Sequence, residues 1–168
     1  PTDSYLSYYP QQIGLTGYLE LLIRLWNLLP IDQHAYHFLK CINILWAEVI
    51  LYFQYKSVQL LFKKDAADIL YLLLAWLHLP LLFYTSFVYG EIPSFALFSV
   101  GAWMLLKLLN AEVPSKQWLL WAIGSALSFA GAVALRKNTL VLMIAIILVV
   151  LLEGLHKRKG KLLLLAIT

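Results

Sequence analysis

The sequence contains few charged residues. Asp, Glu, Lys and Arg make up 13% of its 168 residues, whereas hydrophobic residues make up 62%, and the mean hydropathy is +0.78. A soluble domain carries about 25% charged residues, because its surface must face water. We therefore expect the lipid bilayer to surround most of the folded chain.

Cysteine is nearly absent as well. Cys41 is the single cysteine, which excludes an internal disulfide framework and a cysteine-based metal cluster. The chain also begins at Pro1 without an initiator Met or a signal-peptide pattern. Its last apolar run, residues 161–168, is much shorter than the ~20 residues of a spanning helix. We expect the chain to be a fragment of a longer protein and this run to be the start of a further helix.

The sequence lacks the alternation of polar and apolar residues that marks the strands of a membrane barrel. Six apolar stretches follow one another instead, separated by Pro, Gly or charged residues. Because lipid-exposed backbone must satisfy its own hydrogen bonds, all six are predicted to be helices. Their ranges are 12–29, 38–62, 67–88, 92–109, 117–135 and 139–155. The predicted fold class is all-α, a single incomplete polytopic membrane domain over 1–168, with an external segment over 1–33 and five membrane helices over 38–155.

The first stretch differs from the others because it carries charge. Glu20 and Arg24 are spaced i, i+4 in the order that favours an ion pair, and leucines surround them. This pattern favours a short amphipathic helix lying at the membrane interface. The alternative is a spanning helix that holds the pair inside the bundle.

Lysine and arginine are distributed unevenly between the predicted loops. Five crossings leave Arg136 and Lys137 on one side of the membrane, and the other side carries Lys63, Lys64, Lys116, Lys157, Arg158, Lys159 and Lys161. The side with seven basic residues is predicted to be cytoplasmic. Since the net charge of +4 arises in membrane loops, we expect no nucleic-acid partner. Residues 1–33, the Gly90–Glu91 corner and the 136–138 turn then share the outer face.

A polar corner at residues 84–93 places an acid between two predicted membrane helices. Glu91 follows Tyr89 and precedes Pro93, a combination that ends one helix and begins the next. One interpretation is structural, because a carboxylate at a helix N-terminus complements the helix dipole and Pro fits the first turn. The functional interpretation is a carboxylate in an external cleft that orients an acceptor hydroxyl or holds a cation.

Arg136, Lys137 and Asn138 are predicted to form a tight turn between two apolar helices. The two cations lie near the headgroup plane, on the side that otherwise carries little positive charge. There they could neutralise the phosphate of a lipid-linked substrate through charge-assisted hydrogen bonds. The alternative is a solvated turn that touches ordinary anionic headgroups.

Two ionisable residues, Glu48 and His78, are predicted near mid-membrane on neighbouring antiparallel helices. Each lies about 15 residues from the 63–65 turn, roughly 22 Å along its helix, so equal depth permits a hydrogen bond between them. A structural pair and a proton relay both fit this spacing. We favour the structural pair, because no third titratable group extends a path.

Three segments carry a resemblance to a known family. They are Tyr9-Pro10-Gln11-Gln12-Ile13-Gly14-Leu15, the corner from Leu79-Pro80 to Tyr89-Gly90-Glu91-Ile92-Pro93-Ser94, and Ala134-Leu135-Arg136-Lys137-Asn138. In this order they resemble the polytopic GT-C glycosyltransferases, in particular bacterial relatives of the dolichyl-phosphate-mannose protein mannosyltransferase and aminoarabinose transferase type. The resemblance covers most of the chain through short, degenerate motifs. It implies a multi-pass protein of a bacterial plasma membrane that moves a sugar from a polyprenyl-phosphate or related lipid-linked donor to a glycan, lipid or protein acceptor on the outer face.

The resemblance also implies roles for single residues. The family's general base follows its first transmembrane helix, and we expect that base to lie upstream of Pro1, since only Asp3 precedes the first motif. Glu91 matches the family's second external acidic position. Arg136 or Lys137 matches the basic residue that binds the lipid phosphate. The candidate residues of the substrate cleft are Tyr9, Gln11, Gln12 and Tyr89. The first three stand where the family usually has a proline-rich segment, which leaves their role open.

Displacing a phosphate from an anomeric carbon needs a base for the incoming hydroxyl and a cation for the leaving phosphate. Lys or Arg supplies the cation without a metal, and a divalent cation held by carboxylates is the alternative. Two other classes stay open. A transporter or flippase is expected to have broken helices near the midplane and an inverted repeat, and the third class is a non-catalytic membrane scaffold.

Overall fold

A computed structural model describes residues 12–29, 35–111 and 115–157, with side chains up to residue 152. Within these ranges the chain is helical and contains no strand. The predicted all-α class is therefore confirmed. The described helices are α1 (Ile13–Trp26), α2 (Ala35–Phe62), α3 (Asp65–Leu77), α4 (Leu79–Tyr84), α5 (Glu91–Asn110), α6 (Lys116–Leu135) and α7 (Thr139–Lys157).

Five of the six predicted stretches correspond to single helices, namely α1, α2, α5, α6 and α7, with ends that agree within three residues. The sequence supplies the end signals. Ser115 precedes α6, and its hydroxyl accepts a hydrogen bond from the Trp118 backbone N–H at 3.0 Å, as an N-cap residue does. The predicted helix start at 161–168 lies outside the described residues.

The stretch predicted over 67–88 is two helices, because the chain breaks at His78 between α3 and α4. Pro80 explains the break. It has no N–H to donate to the Trp76 carbonyl, and its ring would clash with that carbonyl in a continuous helix. A new helix can begin there, since Pro is well suited to the first turn of α4.

Helices α3 and α4 together run back along α2. The Tyr71 hydroxyl donates to the Leu51 carbonyl at 2.9 Å near the middle of α2. Further along, Leu81 of α4 packs against Ala47 and Ile50 in the buried core cluster. The two short helices therefore act as one antiparallel leg of the bundle.

Helix α5 runs parallel to α2, and α6 returns antiparallel to α5. Asn43 contacts Phe87 just before α5 begins, and ten residues later the ring of Phe53 lies 5.1 Å from that of Trp103. The Trp103 ring is in turn 5.4 Å from that of Trp121, near the start of α6. Chain direction thus alternates along the sequence from α2 to α6.

Small residues allow α5 and α6 to pack closely. A Cβ at Gly101 would lie 2.9 Å from the ring of Phe129, and a Cβ at Gly124 would lie 2.6 Å from the Met104 sulfur. Close backbone approach through small residues is common where helices pack in membranes. This pair of helices is closely packed along its length.

Two described helices, α5 and α6, are long and apolar enough to cross a membrane, and the Thr139–Leu152 part of α7 is a shorter apolar helix. Helix α1 has 14 residues and α3 has 13, so each alone is shorter than the ~20 residues of a span. The interfacial placement of α1 and the five crossings over 38–155 stay predictions at this point.

Candidate functional site

One end of the bundle collects the polar segments that the sequence analysis singled out. We call it the Glu91 end, and define it as α1, the start of α2, the corner at residues 85–90, the start of α5 and the turn at 136–138. The alternating directions of the helices bring these segments together. The turn between α2 and α3 lies at the opposite end.

Side chains of α2 fix the corner. The Asn43 amide, which is only 3% exposed, donates to the Phe87 carbonyl at 2.8 Å, and the Tyr36 hydroxyl donates to the Ser86 carbonyl at 3.3 Å. Backbone carbonyls between helices need such donors, since no helix supplies them. With the backbone held in this way, the aromatic side chains of Phe87 and Tyr89 are exposed.

The structure brings Glu91 and Arg136 into contact. Arg136 Nη2 lies 2.5 Å from Glu91 Oε1, and both side chains are about one-third exposed, at 36% and 33%. Glu91 is the first residue of α5, with Pro93 in the same turn, so its carboxylate also complements the helix dipole as the structural interpretation expected. The contact links the start of α5 to the turn after α6.

The second carboxylate oxygen of Glu91 has a different environment. Oε2 is buried, and it has no hydrogen-bond partner among the described residues. Buried polar atoms usually have a partner, so an unpaired carboxylate oxygen is unusual. Only Oε1 of this carboxylate is engaged, and it is engaged by Arg136.

Two hydroxyls lie beneath the ion pair, one turn further along each helix. Ser94 Oγ donates to the Ala132 carbonyl at 2.8 Å and lies 2.6 Å from Thr139 Oγ1, with both side chains buried. These bonds join α5 to the end of α6 and the start of α7. The ion pair therefore rests on a fixed junction of three helices.

Glycine at two positions allows the backbone to approach the end of α6. A Cβ at Gly14 would clash with the Ala134 carbonyl oxygen, and a Cβ at Gly90 would lie 2.8 Å from that of Leu135. Any larger residue would displace the backbone at these points. Helix α1 and the corner thus reach the turn that carries Arg136.

Lys137 follows Arg136 in the turn and is exposed. Its side chain makes no ion pair or hydrogen bond to the part of the chain that the structure describes. The turn itself is closed by backbone hydrogen bonds, including the Thr139 N–H to the Arg136 carbonyl at 3.1 Å. The turn predicted at 136–138 therefore forms, with Arg136 in an ion pair and Lys137 without a partner among the described residues.

The structure describes two of the other predicted cleft residues, Gln12 and Tyr89. Tyr9 and Gln11 lie outside the described residues. Gln12 is the residue before α1 and is partly exposed, and Tyr89 is exposed beside Gly90. Both are at the Glu91 end, without a described contact to Glu91 or Arg136.

Sequence reasoning missed Asn43, Ser94 and Thr139. A single amide within a strongly apolar helix was a usable signal for Asn43, because such a group must find a partner. Ser94 and Thr139 gave a weaker signal, since a hydroxyl in a helix often bonds a carbonyl of its own helix. Their pairing depends on how the helices pack.

A hydrogen bond from α2 holds α1 against the bundle. Trp46 Nε1 donates to the Tyr18 hydroxyl at 2.7 Å. Burial raises the pKa of Tyr18, and the hydrogen bond from Trp46 opposes this rise, so the phenol stays protonated at neutral pH. The predicted Glu20–Arg24 ion pair forms on the exposed side of α1 at 2.6 Å.

The hydrogen bond considered between Glu48 and His78 does not form. Both side chains are exposed in the described structure, and His78 lies at the break between α3 and α4. The helix is therefore interrupted at the residue that equal depth was expected to bring beside Glu48. Neither the structural pair nor the proton relay is present in this arrangement.

A cluster of metal ligands is not found in the described part of the chain, where no three His, Cys, Asp or Glu side chains come together. Glu91 lies beside a guanidinium and not beside a second carboxylate. The described residues alone therefore do not form a carboxylate site for a divalent cation.

No protein-family model, curated protein sequence or solved structure matches the chain. The resemblance to the GT-C glycosyltransferases therefore rests on the three short motifs, and the chemistry of the Glu91 end must carry any functional assignment.

Proposed function

We propose that the chain is part of an integral membrane glycosyltransferase of the GT-C type, which moves a sugar from a polyprenyl-phosphate-type donor to an acceptor at the outer membrane face. The observation that carries the proposal is the meeting of Glu91 with the cationic turn of Arg136 and Lys137 at one end of the bundle. These are the residues that the second and third motifs contribute.

The exposed apolar surface supports a location in the membrane. Helix α3 has no buried residue, although most of its side chains are large and apolar. In water such a surface would be strongly unfavourable, since each large apolar side chain gains about 1.5–3 kcal/mol on leaving water. Lipid provides the apolar surroundings. The exposed large apolar residues of α3 are Ile69, Leu70, Leu72, Leu73, Leu74, Trp76 and Leu77.

The lengths of the helices support several crossings of the bilayer. Helix α5 has 20 residues and α6 has 20, which at 1.5 Å per residue is about 30 Å, the thickness of the hydrocarbon core. The combined α3–α4 leg covers a similar length, although Pro80 divides it. We infer that α2, α3–α4, α5, α6 and α7 each cross the bilayer and that α1 lies at the interface.

Lysines and aromatic rings at the opposite end fit a membrane boundary. Lys107 Nζ lies 5.7 Å from the centroid of Trp103, and Lys56 Nζ lies 5.8 Å from those of Tyr52 and Tyr55. Lysine stems lie along apolar helix surface while the ammonium reaches the headgroups, where Tyr and Trp are also enriched. This end is inferred to face the cytoplasm.

The cationic turn can bind a lipid-linked phosphate at the outer boundary. A guanidinium carries five N–H donors, and one carboxylate oxygen engages only part of them. Arg136 can therefore keep Glu91 and still donate to a phosphate, and the exposed ammonium of Lys137 adds a second charge-assisted contact. These contacts would stabilise the negative charge that develops on the phosphate as the glycosidic bond breaks.

Lys137→Ala in the full-length protein tests the proposal, because Lys137 has no described contact whose loss would disturb folding. In proteoliposomes that contain a polyprenyl-phosphate-linked sugar, we expect kcat/KM for sugar transfer to fall about tenfold, the effect of one charge-assisted hydrogen bond. Lys64 is an exposed lysine in the turn at the opposite end. Its variant Lys64→Ala is the matched control and should transfer sugar like the wild type. Wild-type protein that transfers no sugar, or Lys137→Ala protein that transfers as well as wild type, would contradict the proposal.

A transporter or flippase is the second candidate, and the break at His78 is the observation that favours it. Discontinuous helices line the substrate sites of many transporters. His78 and Glu48 are exposed, however, and no hydrogen bond joins them in the described structure. If the protein is a transporter, His78→Gln will reduce substrate movement in proteoliposomes. The glycosyltransferase proposal expects sugar transfer by this variant to be unchanged.

A further inference from the structure

We propose that Glu91 is a positioning residue: it holds the Arg136 guanidinium at the place where the donor phosphate binds, and it does not act on the acceptor hydroxyl itself. This inference rests on the proposed function and names the role of one carboxylate within it. It replaces the direct role that the resemblance implies for the second acidic position.

The surroundings of both carboxylate oxygens of Glu91 disfavour a direct role toward an acceptor. Oε1 lies 2.5 Å from Arg136 Nη2. Oε2 is buried, so a hydroxyl arriving from the membrane surface cannot reach it. A general base must come within about 2.6–3.2 Å of the proton that it removes. The oxygen that the exposed third of the Glu91 side chain can present is Oε1, and an arriving hydroxyl must compete for it with the Arg136 guanidinium.

The backbone around the pair is fixed on both sides. The bonds of Ser94 to Ala132 and Thr139 join the two helices that carry the ion pair, and Gly90 lies so close to the Leu135 carbonyl that a Cβ at this position would clash with it. An exposed ion pair on mobile chains contributes little, because side-chain entropy opposes it. Here the junction has already aligned the two partners, so Glu91 can determine where the guanidinium points.

The charges at the site distinguish a positioning role of Glu91 from a purely electrostatic one. Arg136 and Lys137 contribute two positive charges and Glu91 contributes one negative charge. If Glu91 acted only through its charge, its removal would strengthen phosphate binding, because like charges repel. If Glu91 orients Arg136, its removal weakens phosphate binding although the site becomes more positive.

Titration of the full-length protein in phosphatidylcholine nanodiscs with farnesyl phosphate, a short polyprenyl phosphate, distinguishes these roles. We expect Glu91→Gln and Arg136→Ala each to raise the Kd about tenfold, the value of one well-aligned bond to a charged group. The double variant should bind no more weakly than Arg136→Ala alone, because Glu91 acts through Arg136. Unchanged or tighter binding by Glu91→Gln, or additive losses in the double variant, would overturn the inference.

Two further variants serve as controls. Glu91→Asp keeps the charge at the start of α5 and so preserves folding, but it is one methylene too short to hold the guanidinium, and we expect its Kd to rise as well; an unchanged Kd would oppose the inference. Glu20→Gln removes the exposed partner of Arg24 on α1 and should bind farnesyl phosphate like the wild type. If it binds as weakly as Glu91→Gln, the loss is not specific to the Glu91–Arg136 contact, and the inference is overturned.

Steady-state kinetics distinguish a positioning role of Glu91 from a direct catalytic role. Positioning predicts that Glu91→Gln raises KM for the lipid-linked donor and leaves the pH profile of kcat unchanged, whereas loss of a general base lowers kcat by about 10²–10⁴-fold. A fall in kcat of that size at unchanged Kd would overturn the inference. If the wild type binds farnesyl phosphate with the expected variant pattern but transfers no sugar, the proposed function fails while the positioning role stands.

Discussion

Ser94 shows how much a single hydroxyl contributes to the site. It is 1% exposed and connects three helices through Ala132 and Thr139. Because the bond reaches another helix, its loss cannot be repaired locally, and the Thr139 hydroxyl would be left buried without its side-chain partner. The junction under the Glu91–Arg136 pair therefore depends on this residue.

We expect Ser94→Ala to lower the free energy of unfolding by about 1–3 kcal/mol, the cost of leaving a buried polar group unsatisfied. Ser99→Ala is the matched control. Ser99 is also buried in α5, but its hydroxyl bonds the Phe95 carbonyl of its own helix at 2.9 Å, so its removal leaves no unpaired group on another helix. Denaturation in detergent micelles measures both, and equal losses would contradict this account.

At the scale of single residues, sequence reasoning predicted the location of Glu91 and Arg136 better than their contact. The number of predicted crossings put both on one face, because each crossing reverses the side of the next loop. Their pairing was not predictable, since it depends on which way the turn after α6 points. The role of each residue in catalysis stays a prediction.

Helix α1 depends on glycine for its attachment to α6. Gly14 lies against the Ala134 carbonyl, whereas Gly17, one turn further along the same helix, has no atom within 4 Å of the position that a Cβ would occupy. The two glycines have the same intrinsic effect on helix stability. They therefore form a matched pair that isolates the contact between the helices.

Gly14→Ala is expected to push α1 away from α6, because backbone atoms cannot move aside as a flexible side chain can. Overpacking of this kind costs about 1–3 kcal/mol. Gly17→Ala should instead be neutral or stabilise the protein by up to about 1 kcal/mol, since Ala favours helix. Thermal unfolding of the two variants provides the comparison, and a lower Tm for Gly17→Ala than for Gly14→Ala would refute the packing described here.

The bounds of most helices could be predicted, and the exception has a local cause. Charged and polar residues mark the ends of α5, α6 and α7, so the apolar pattern alone gave these helices correctly. The break at His78 was missed because apolar residues continue on both sides of it. Pro80 was the usable signal. Because proline has no N–H to donate within a helix, its position predicts a break close to residue 78.

For the whole molecule, alternation of helix direction explains how distant segments form one site. Successive helices run in opposite directions. For this reason the Glu91 end brings together residues from α1, the corner, α5 and the 136–138 turn. The sequence predicted this convergence from the order of apolar stretches alone. The packing of α5 on α6 could not be derived in the same way, because it depends on the fit of particular side chains such as Phe129 against Gly101.

Orientation in the membrane tests the central claim most directly. In full-length protein with Cys41→Ala, the exposed residues Lys137 and Lys64 are replaced one at a time by cysteine and treated in intact spheroplasts with a membrane-impermeant maleimide. We predict that Lys137→Cys is labelled at once and that Lys64→Cys is labelled only after permeabilisation. Labelling of both positions in intact spheroplasts, or of Lys64→Cys alone, would contradict a bundle that spans the membrane with the Glu91 end outside.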